Sequence, residues 1–375
     1  MKSKALKIIF IFSLTILFIS LSNDSYTFTL KGFCDEIKAD IYYIEHLSDD
    51  GYLAVGVIKN TTSDVYIEKF DKNLKSIFKK TFSGDKSDFA LNAKELKNNN
   101  IIICGISESK TFNNIKNSGN NNNFILCISP SGDPVWTIRC GNSYSDRLES
   151  LLLTENDTIL ISGRQKNPGK SLDIVIHEYS YSGELIGTHL YGSYYDDYFD
   201  GIIKYNDGYL IFGRPFSKNS DVQVENIDQS DTWIAFIDKS YKIVWQSSIK
   251  DFDVNYALIE NDTLFVTGVD ESNSKTIPNS NLVNTDISYA CYDLIKHEIL
   301  WRKVVPGNLD DVGFSLGFFD SKLAVLGRYC SNNDIFSSHK GNCDICCFLV
   351  DKTTGEILNS YFLGSSENEH SQWVF

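Results

Sequence analysis

A chain of 375 residues, 42% hydrophobic and 13% aromatic, has the means to bury a large core, which excludes disorder along its length. Its formal charge is −14, and a surface this acidic repels phosphate backbones, which argues against a nucleic-acid partner. Six prolines and one methionine stand beside 20 tyrosines and 24 phenylalanines, a balance that suits half-buried strands.

The chain opens with Lys2, Lys4 and Lys7, then an apolar run from Ile8 to Leu21, then polar Ser22-Asn23-Asp24. A basic start, a short apolar run and small residues at Ser20 and Ser22 read as an export signal over 1–22. Residues 23–375 then form one domain, secreted or held in the cell envelope. The run is somewhat short for a spanning helix, and an uncleaved anchor, the alternative, is the one membrane contact expected. No lipobox-like sequence precedes Cys34.

From there a short strand ending in glycine keeps returning. It reads Tyr52-Leu-Ala-Val-Gly56, then Ile-Ile-Ile-Cys-Gly105, Ile-Leu-Ile-Ser-Gly163, Tyr-Leu-Ile-Phe-Gly213, Leu-Phe-Val-Thr-Gly268 and Leu-Ala-Val-Leu-Gly327. The intervals between those glycines are 49, 58, 50, 55 and 59 residues, the spacing of stacked or radially repeated units. Each unit carries four strand-like runs; in the third they are Leu148–Leu153, Thr158–Ser162, Ile174–Tyr179 and Glu184–Tyr191. Gly, Asn, Asp and Ser clusters bound them, as in antiparallel meanders. An Asx residue precedes every third strand: Asp64, Asn123, Asp173, Asp231, Asp286 and Asp344. Its side chain can bond neighbouring amides and fix the turn. A polar turn follows the third strand, and Trp136, Trp245 and Trp301 then stand near the start of the fourth. The linker to the next unit runs from glycine to an acid: Gly84 to Asp88, Gly141 to Asp146, Gly192 to Asp197, Gly307 to Asp311 and Gly364 to Glu369. The fourth unit departs, with Lys250-Asp251-Phe252-Asp253 and no glycine.

On these residues the chain resembles β-propeller repeats of the broad WD-like and quinoprotein-like superfamily. The turn Asp351-Lys-Thr-Thr-Gly355 and the tryptophans are similar to the tryptophan-docking motif of pyrroloquinoline-quinone propellers and their non-enzymatic relatives. The resemblance covers roughly residues 27–375 and implies an all-β fold of six full four-stranded repeats, with six to seven blades. Tyr26–Gly32 resembles a fourth strand and Ser371–Phe375 a first strand, the ends of a seventh blade without its middle two strands. Six blades with two spare strands is the other reading. Insertions between second and third strands, among them Ser107–Asn122, Pro215–Ser230 and Tyr329–Cys343, emerge on one face of the disc, where repeat proteins often bind.

Candidate chemistry is sparse. Asp196, Asp197 and Asp200 in the run Tyr194–Asp200 can supply oxygen ligands to calcium, and Asp88, Asp146 and Asp311 on equivalent linkers can join them in a ring of carboxylates. Each Asp capping its own turn is the simpler reading and the favoured one. Nine cysteines leave at least one unpaired; Cys330 and Cys343 flank one loop and are the disulfide candidates. Cys104, Cys127, Cys291, Cys346 and Cys347 fall in strands as small hydrophobes. A zinc site at Cys343–Cys347 lacks a second CxxC. No GxSxG, HExxH or catalytic nucleophile stands out, and His177 reads as a packing residue. The expected function is an exported, non-catalytic binding or scaffolding module with a protein or carbohydrate partner and no resident cofactor. The alternative is an enzyme with its site at the channel mouth, quinone-dependent or acting on polysaccharide. Carboxylates converging on the channel would favour that alternative; a bare, Asn-rich face would favour the binder.

Overall fold

The structure, a computed structural model, describes residues 6–12, 15–22, 25–33, 39–116, 123–141, 146–166, 171–218, 221–276, 283–319, 321–331 and 343–363, those of 6–33 and 271–284 by backbone alone. The six glycine-marked units are six four-stranded antiparallel sheets, in which sheet order follows chain order. Blade one comprises Ala39–His46, Tyr52–Lys59, Ser63–Phe70 and Ser76–Phe82. Blade two comprises Asp88–Glu95, Ile101–Ser107, Asn123–Ile128 and Pro134–Cys140. Blade three is Arg147–Leu153, Thr158–Lys166, Leu172–Ser180 and Leu185–Tyr191. Blade four is Tyr198–Tyr205, Gly208–Arg214, Thr232–Asp238 and Ile243–Ile249. Blade five has Phe252–Glu260, Thr263–Thr276, Val283–Asp293 and Glu298–Val305. Blade six has Val312–Phe319, Lys322–Tyr329, Asp344–Asp351 and Ile357–Leu363. The sheets form the ring of a β-propeller; no helix occurs among the described residues. From blade one through blade six, each first strand packs on the next, so these strands line the central channel.

The recurring glycine has a mechanical cause. Each first strand carries a β-bulge, with register shifts at 41/43, 90/92, 148/150, 199/201, 254/256 and 313/315. The extra residue has no cross-strand partner, and the bulge pushes the first strand's backbone onto the second. A Cβ at Gly56, Gly105, Gly163 or Gly268 would lie 2.1, 2.0, 2.0 or 1.8 Å from the carbonyl oxygen of Asp40, Phe89, Arg147 or Asp253. At Gly213 and Gly327 the corresponding distances are 2.5 Å from Tyr198 and 2.7 Å from Val312. No side chain fits there, which is why the sequence returns to glycine.

The apolar run before each glycine is buried on both faces. In blade two, Ile101 and Ile103 enter a core shared with blade one, and Ile102 and Cys104 a core shared with blade three. Cys346 and Cys347 likewise enter different cores. Full burial of each such side chain stabilises the fold by about 1.5–3 kcal/mol.

Aromatic docking joins the outer strands. Trp136 donates Nε1–H to the Tyr181 carbonyl at 3.1 Å, and Trp301 does the same to Lys352 at 3.1 Å. Their rings cover Gly183 (φ 87°) and Gly355 (φ 74°), where a Cβ would meet ring carbons at 3.1 and 2.7 Å. The left-handed turn and the ring on it therefore both call for glycine. Blades three and four exchange the parts. Gly187 stands where the tryptophan would, and Tyr241 (φ 62°) occupies the turn position, stacking on His189 at 3.7 Å. Trp245 stacks on His297 at 4.2 Å in the same manner.

Outside the six blades, Leu6–Phe12, Thr15–Ser22 and Ser25–Phe33 form a three-stranded antiparallel sheet. The first two carry most of the apolar run of the export reading, and the third contains the expected fourth-strand segment Tyr26–Gly32. Leu6–Phe12 approaches the first strand of blade one. Ser371–Phe375 lies outside the described residues, as do Cys34 and Glu369.

Candidate functional site

The linker aspartates are tied into turns. Asp311 accepts from the Cys330 and Ser331 amides at 2.6 and 3.0 Å and from Ser331 Oγ at 2.6 Å. Asp197 accepts from the Ser193 amide and hydroxyl, both at 2.6 Å, and from the Phe216 amide at 3.3 Å. Asp146 accepts from the Lys166 amide at 2.8 Å, and Asp88 from Ser109 Oγ at 3.0 Å. Burial raises Asp197 and Asp311 to about 6 although the donors pull the other way. Each carboxylate pins the exit of its blade's second strand to the linker leading into the first. The backbone adds links between blades: Asp197 N–H donates to Leu172 at 2.7 Å and Asp311 N–H to Thr285 at 2.8 Å. The Asx residues before the third strands do similar work, Asp286 taking the Gly307 amide at 2.7 Å and Asn123 the Leu148 amide at 3.0 Å. In the glycine-free fourth linker, Arg302 donates to the Lys250 and Asp251 carbonyls at 2.6 and 2.7 Å.

The acidic run therefore divides. Asp196 accepts from the Leu172 amide at 2.8 Å, Asp197 caps its loop, and Asp200 lies apart from both with Arg214. Among the described residues no group of three or more His, Cys, Asp or Glu is placed to hold a metal ion.

Asp200 belongs to a different constellation, built by the bulges. It is the extra residue of blade four, as Glu149 is of blade three. Two positions earlier stand Arg147, Tyr198 and Asp253 of blades three, four and five, and directly after the second-strand glycine stand Arg164 and Arg214. These seven residues meet where three first strands enter the channel. Arg214 bridges two blades, with Nη1 2.7 Å from Asp253 Oδ2 and Nη2 3.4 Å from Asp200 Oδ1. Arg147 Nε lies 2.8 Å from Glu149 Oε2. The Arg164 and Arg214 guanidinium carbons both lie 5.0 Å from the Tyr198 ring centre.

The electrostatics are those of a crowded, poorly solvated site. Burial raises the Glu149 carboxyl against the pull of Arg147 and Arg164. Burial also raises Asp253, and pushes Asp200 up to about 7 with Asp253 and Glu149 adding repulsion. Burial of two carboxylates around one guanidinium favours proton uptake by the Asp200–Asp253 pair as pH falls. Asp200 Oδ2 and Asp253 Oδ1 are buried without a hydrogen-bond partner among the described residues, and the Asp200 carboxylate is only 8% exposed. Asn92 Oδ1 and Ser162 Oγ share that condition, but here two such oxygens flank one arginine.

Across the channel, blades one and two place Tyr43, Glu45 and Lys94 together, with Lys94 Nζ 2.7 Å from Glu45 and Tyr43 donating to Glu45 at 3.0 Å. Tyr43 also lies within electrostatic reach of Tyr256 on blade five. His177 is satisfied, with Nδ1 2.8 Å from Thr188 Oγ1 and Nε2 2.8 Å from Gln165 Oε1; burial pushes it down to about 4. Cys330 and Cys343 form a disulfide, S–S 2.01 Å, and the five strand cysteines and Cys140 are buried and free.

Sequence reasoning named Asp200 for a different partner set and missed Glu149, Asp253, Arg164 and Arg214. A signal was present: Glu149 and Asp200 each stand three residues after the linker aspartates Asp146 and Asp197. The bulge that gives this position its meaning is visible only in the register of the sheets.

No family model matches the chain, and no curated protein matches it. Among solved structures it is similar to a protein of unknown function from Bacteroides caccae, at 11% identity and TM-score 0.45 over 81% of this chain and 94% of that one. Kuenenia stuttgartiensis hydrazine synthase is similar at 10% identity and TM-score 0.49, over 79% of this chain and 78% of that chain. Dihydro-heme d1 dehydrogenase NirN, in complex with DHE, is similar at 9% identity and TM-score 0.49, over 94% of this chain and 63% of that one.

Proposed function

We propose that this propeller is an exported binding module that receives a polar ligand at the channel mouth beside blades three to five. The observation that carries the reading is the pair of buried, unpartnered carboxylate oxygens on Asp200 and Asp253, held by one arginine between two blades. Both oxygens are closed to solvent, so a ligand hydroxyl reaches them only where the side chains over them give way. The basic and apolar start of the chain supports a place outside the cytoplasm, and the charge of −14 keeps nucleic acid from the partner list. For binding the mouth supplies fixed charges and a tyrosine stacked against two arginines.

One observation favours a second reading. A carboxyl held near neutral pH beside ionised neighbours is the arrangement of a general acid, and Asp200 at about 7 has it. In that reading the propeller cleaves a polysaccharide. None of the seven mouth residues is assigned to a quinone.

The test is a glycan array with the folded protein, followed by calorimetry and reducing-end release on each glycan bound. Binding without new reducing ends, weakened by Asp200→Asn, supports the module. Release of reducing ends that Asp200→Asn abolishes while binding persists supports the enzyme. No bound glycan, and no response to Asp200→Asn, overturns both.

A further inference from the structure

Arg164 is the odd member of the mouth. Arg147 has Glu149, and Arg214 has Asp200 and Asp253. Arg164, half-buried, makes no ion pair among the described residues; its guanidinium lies against the Tyr198 ring. Glu149 is within its electrostatic reach but not within ion-pair distance, and the stacking supplies only about 0.5–2 kcal/mol. Its planar fork is matched to a carboxylate in two parallel hydrogen bonds, and stacking on a ring fixes the fork's plane in advance.

Beside this fork lie two unpartnered acceptors, Asp200 Oδ2 and Asp253 Oδ1, which call for donors rather than a second anion. On the loop leading into Tyr198, Tyr194 and Tyr195 are 76% and 64% exposed, and Tyr198 itself is 40% exposed. Isolated exposed tyrosines mean little, but three within five residues offer apolar faces with polar tips, which suit the face of a sugar ring.

We propose that the mouth recognises an acidic saccharide: its carboxylate on Arg164, its hydroxyls towards Asp200 and Asp253, and its ring against the Tyr194–Tyr198 rim. The charge count agrees. Arg147, Arg164 and Arg214 match Glu149, Asp200 and Asp253 in number, and burial raises all three carboxyls, which shifts the balance towards positive as pH falls. An anion thus meets a local attraction inside a protein whose overall charge repels it. The inference rests on the mouth-binding reading and names its ligand class.

The experiment is calorimetry of the full chain at pH 6 with a galacturonic acid trimer, a neutral galactose trimer and acetate, on wild type, Arg164→Ala, Arg164→Lys and Asp200→Asn. The acidic trimer is expected to bind at least tenfold more tightly than the neutral one. Arg164→Ala is expected to remove that preference, and Arg164→Lys to restore part of it. Circular dichroism melts of each variant show that it folds; Arg164→Lys carries the test if Arg164→Ala does not. If both trimers bind alike, insensitive to Arg164 but weakened by Asp200→Asn, the acidic class is overturned and the mouth site stands. If acetate binds as tightly as the acidic trimer, the saccharide is overturned. If nothing binds any variant, this inference falls, and the glycan array alone decides the mouth site.

Discussion

At the extra residue of the first strand, blades three, four and five present Glu149, Asp200 and Asn255, whereas blades one, two and six present Tyr42, Leu91 and Phe314. The backbone device is the same in all six; the chemistry it aims is not. At these six positions one arc is charged or polar, with Asp200 tied to the next blade by Arg214, and the other is aromatic or apolar, with Phe314 buried. The contrast shows that the scaffold and the site are specified by different residues, although both use the bulge. Glycine and the linker aspartate build the ring, and the unpaired residue decides what the channel meets.

The largest break in this comparison is expected from Arg214→Ala. It strands two buried carboxylates and costs about 3–5 kcal/mol at pH 8, read from the urea midpoint. The loss shrinks at pH 5, where the aspartates take up protons; an equal loss at both pH values would refute the shared-proton account. Next comes the bulge itself. Gly213→Ala puts a Cβ 2.5 Å from the Tyr198 oxygen and 2.6 Å from Ile174 Cδ1, for about 2–3 kcal/mol. Gly317→Ala, with nothing within 4 Å, changes stability by less than about 0.5 kcal/mol. Similar midpoints for those two variants would mean that crowding is not what keeps the repeat glycine.

Trp301→Ala removes the ring over Gly355 and the bond to Lys352, an effect of about 2 kcal/mol for a partly buried ring. The smallest effect sharpens the charged arc. Because Asp200 is raised in the folded state, its contribution to stability is full below the ordinary carboxylate range and is lost as pH rises through about 7. Asp200→Asn lacks that loss, so its midpoint relative to wild type is expected to climb between pH 4.5 and 7.5. A flat difference across that window would return Asp200 to an ordinary carboxylate.

Most of the ring was legible in the chain, because what builds it is local. The glycine spacing gave six units, the Asx residues marked the third strands, and Trp136, Trp245 and Trp301, which recur near the start of fourth strands, sit at the blade joints. The site was legible only in part, because it is not local. Arg214 meets Asp253 across 39 residues and a blade boundary, and no spacing rule connects them. The acidic run Tyr194–Asp200 looked like one cluster because its members are adjacent in sequence. A linker and a strand face different neighbours, so Asp196 and Asp197 hold the loop while Asp200 turns to the channel.

The bulge also has a consequence for how such a ring changes over time. A residue without a cross-strand partner can be replaced without disturbing the ladder, so the six extra positions act as sockets in a fixed frame, that of blade four also tied to blade five through Arg214. Exchanging Leu91 for Asp, or Asp200 for Leu, rewrites one point of the mouth and leaves the ladder of hydrogen bonds in place. The glycine serves as the address and the unpaired residue as the content. New recognition can then be composed one blade at a time.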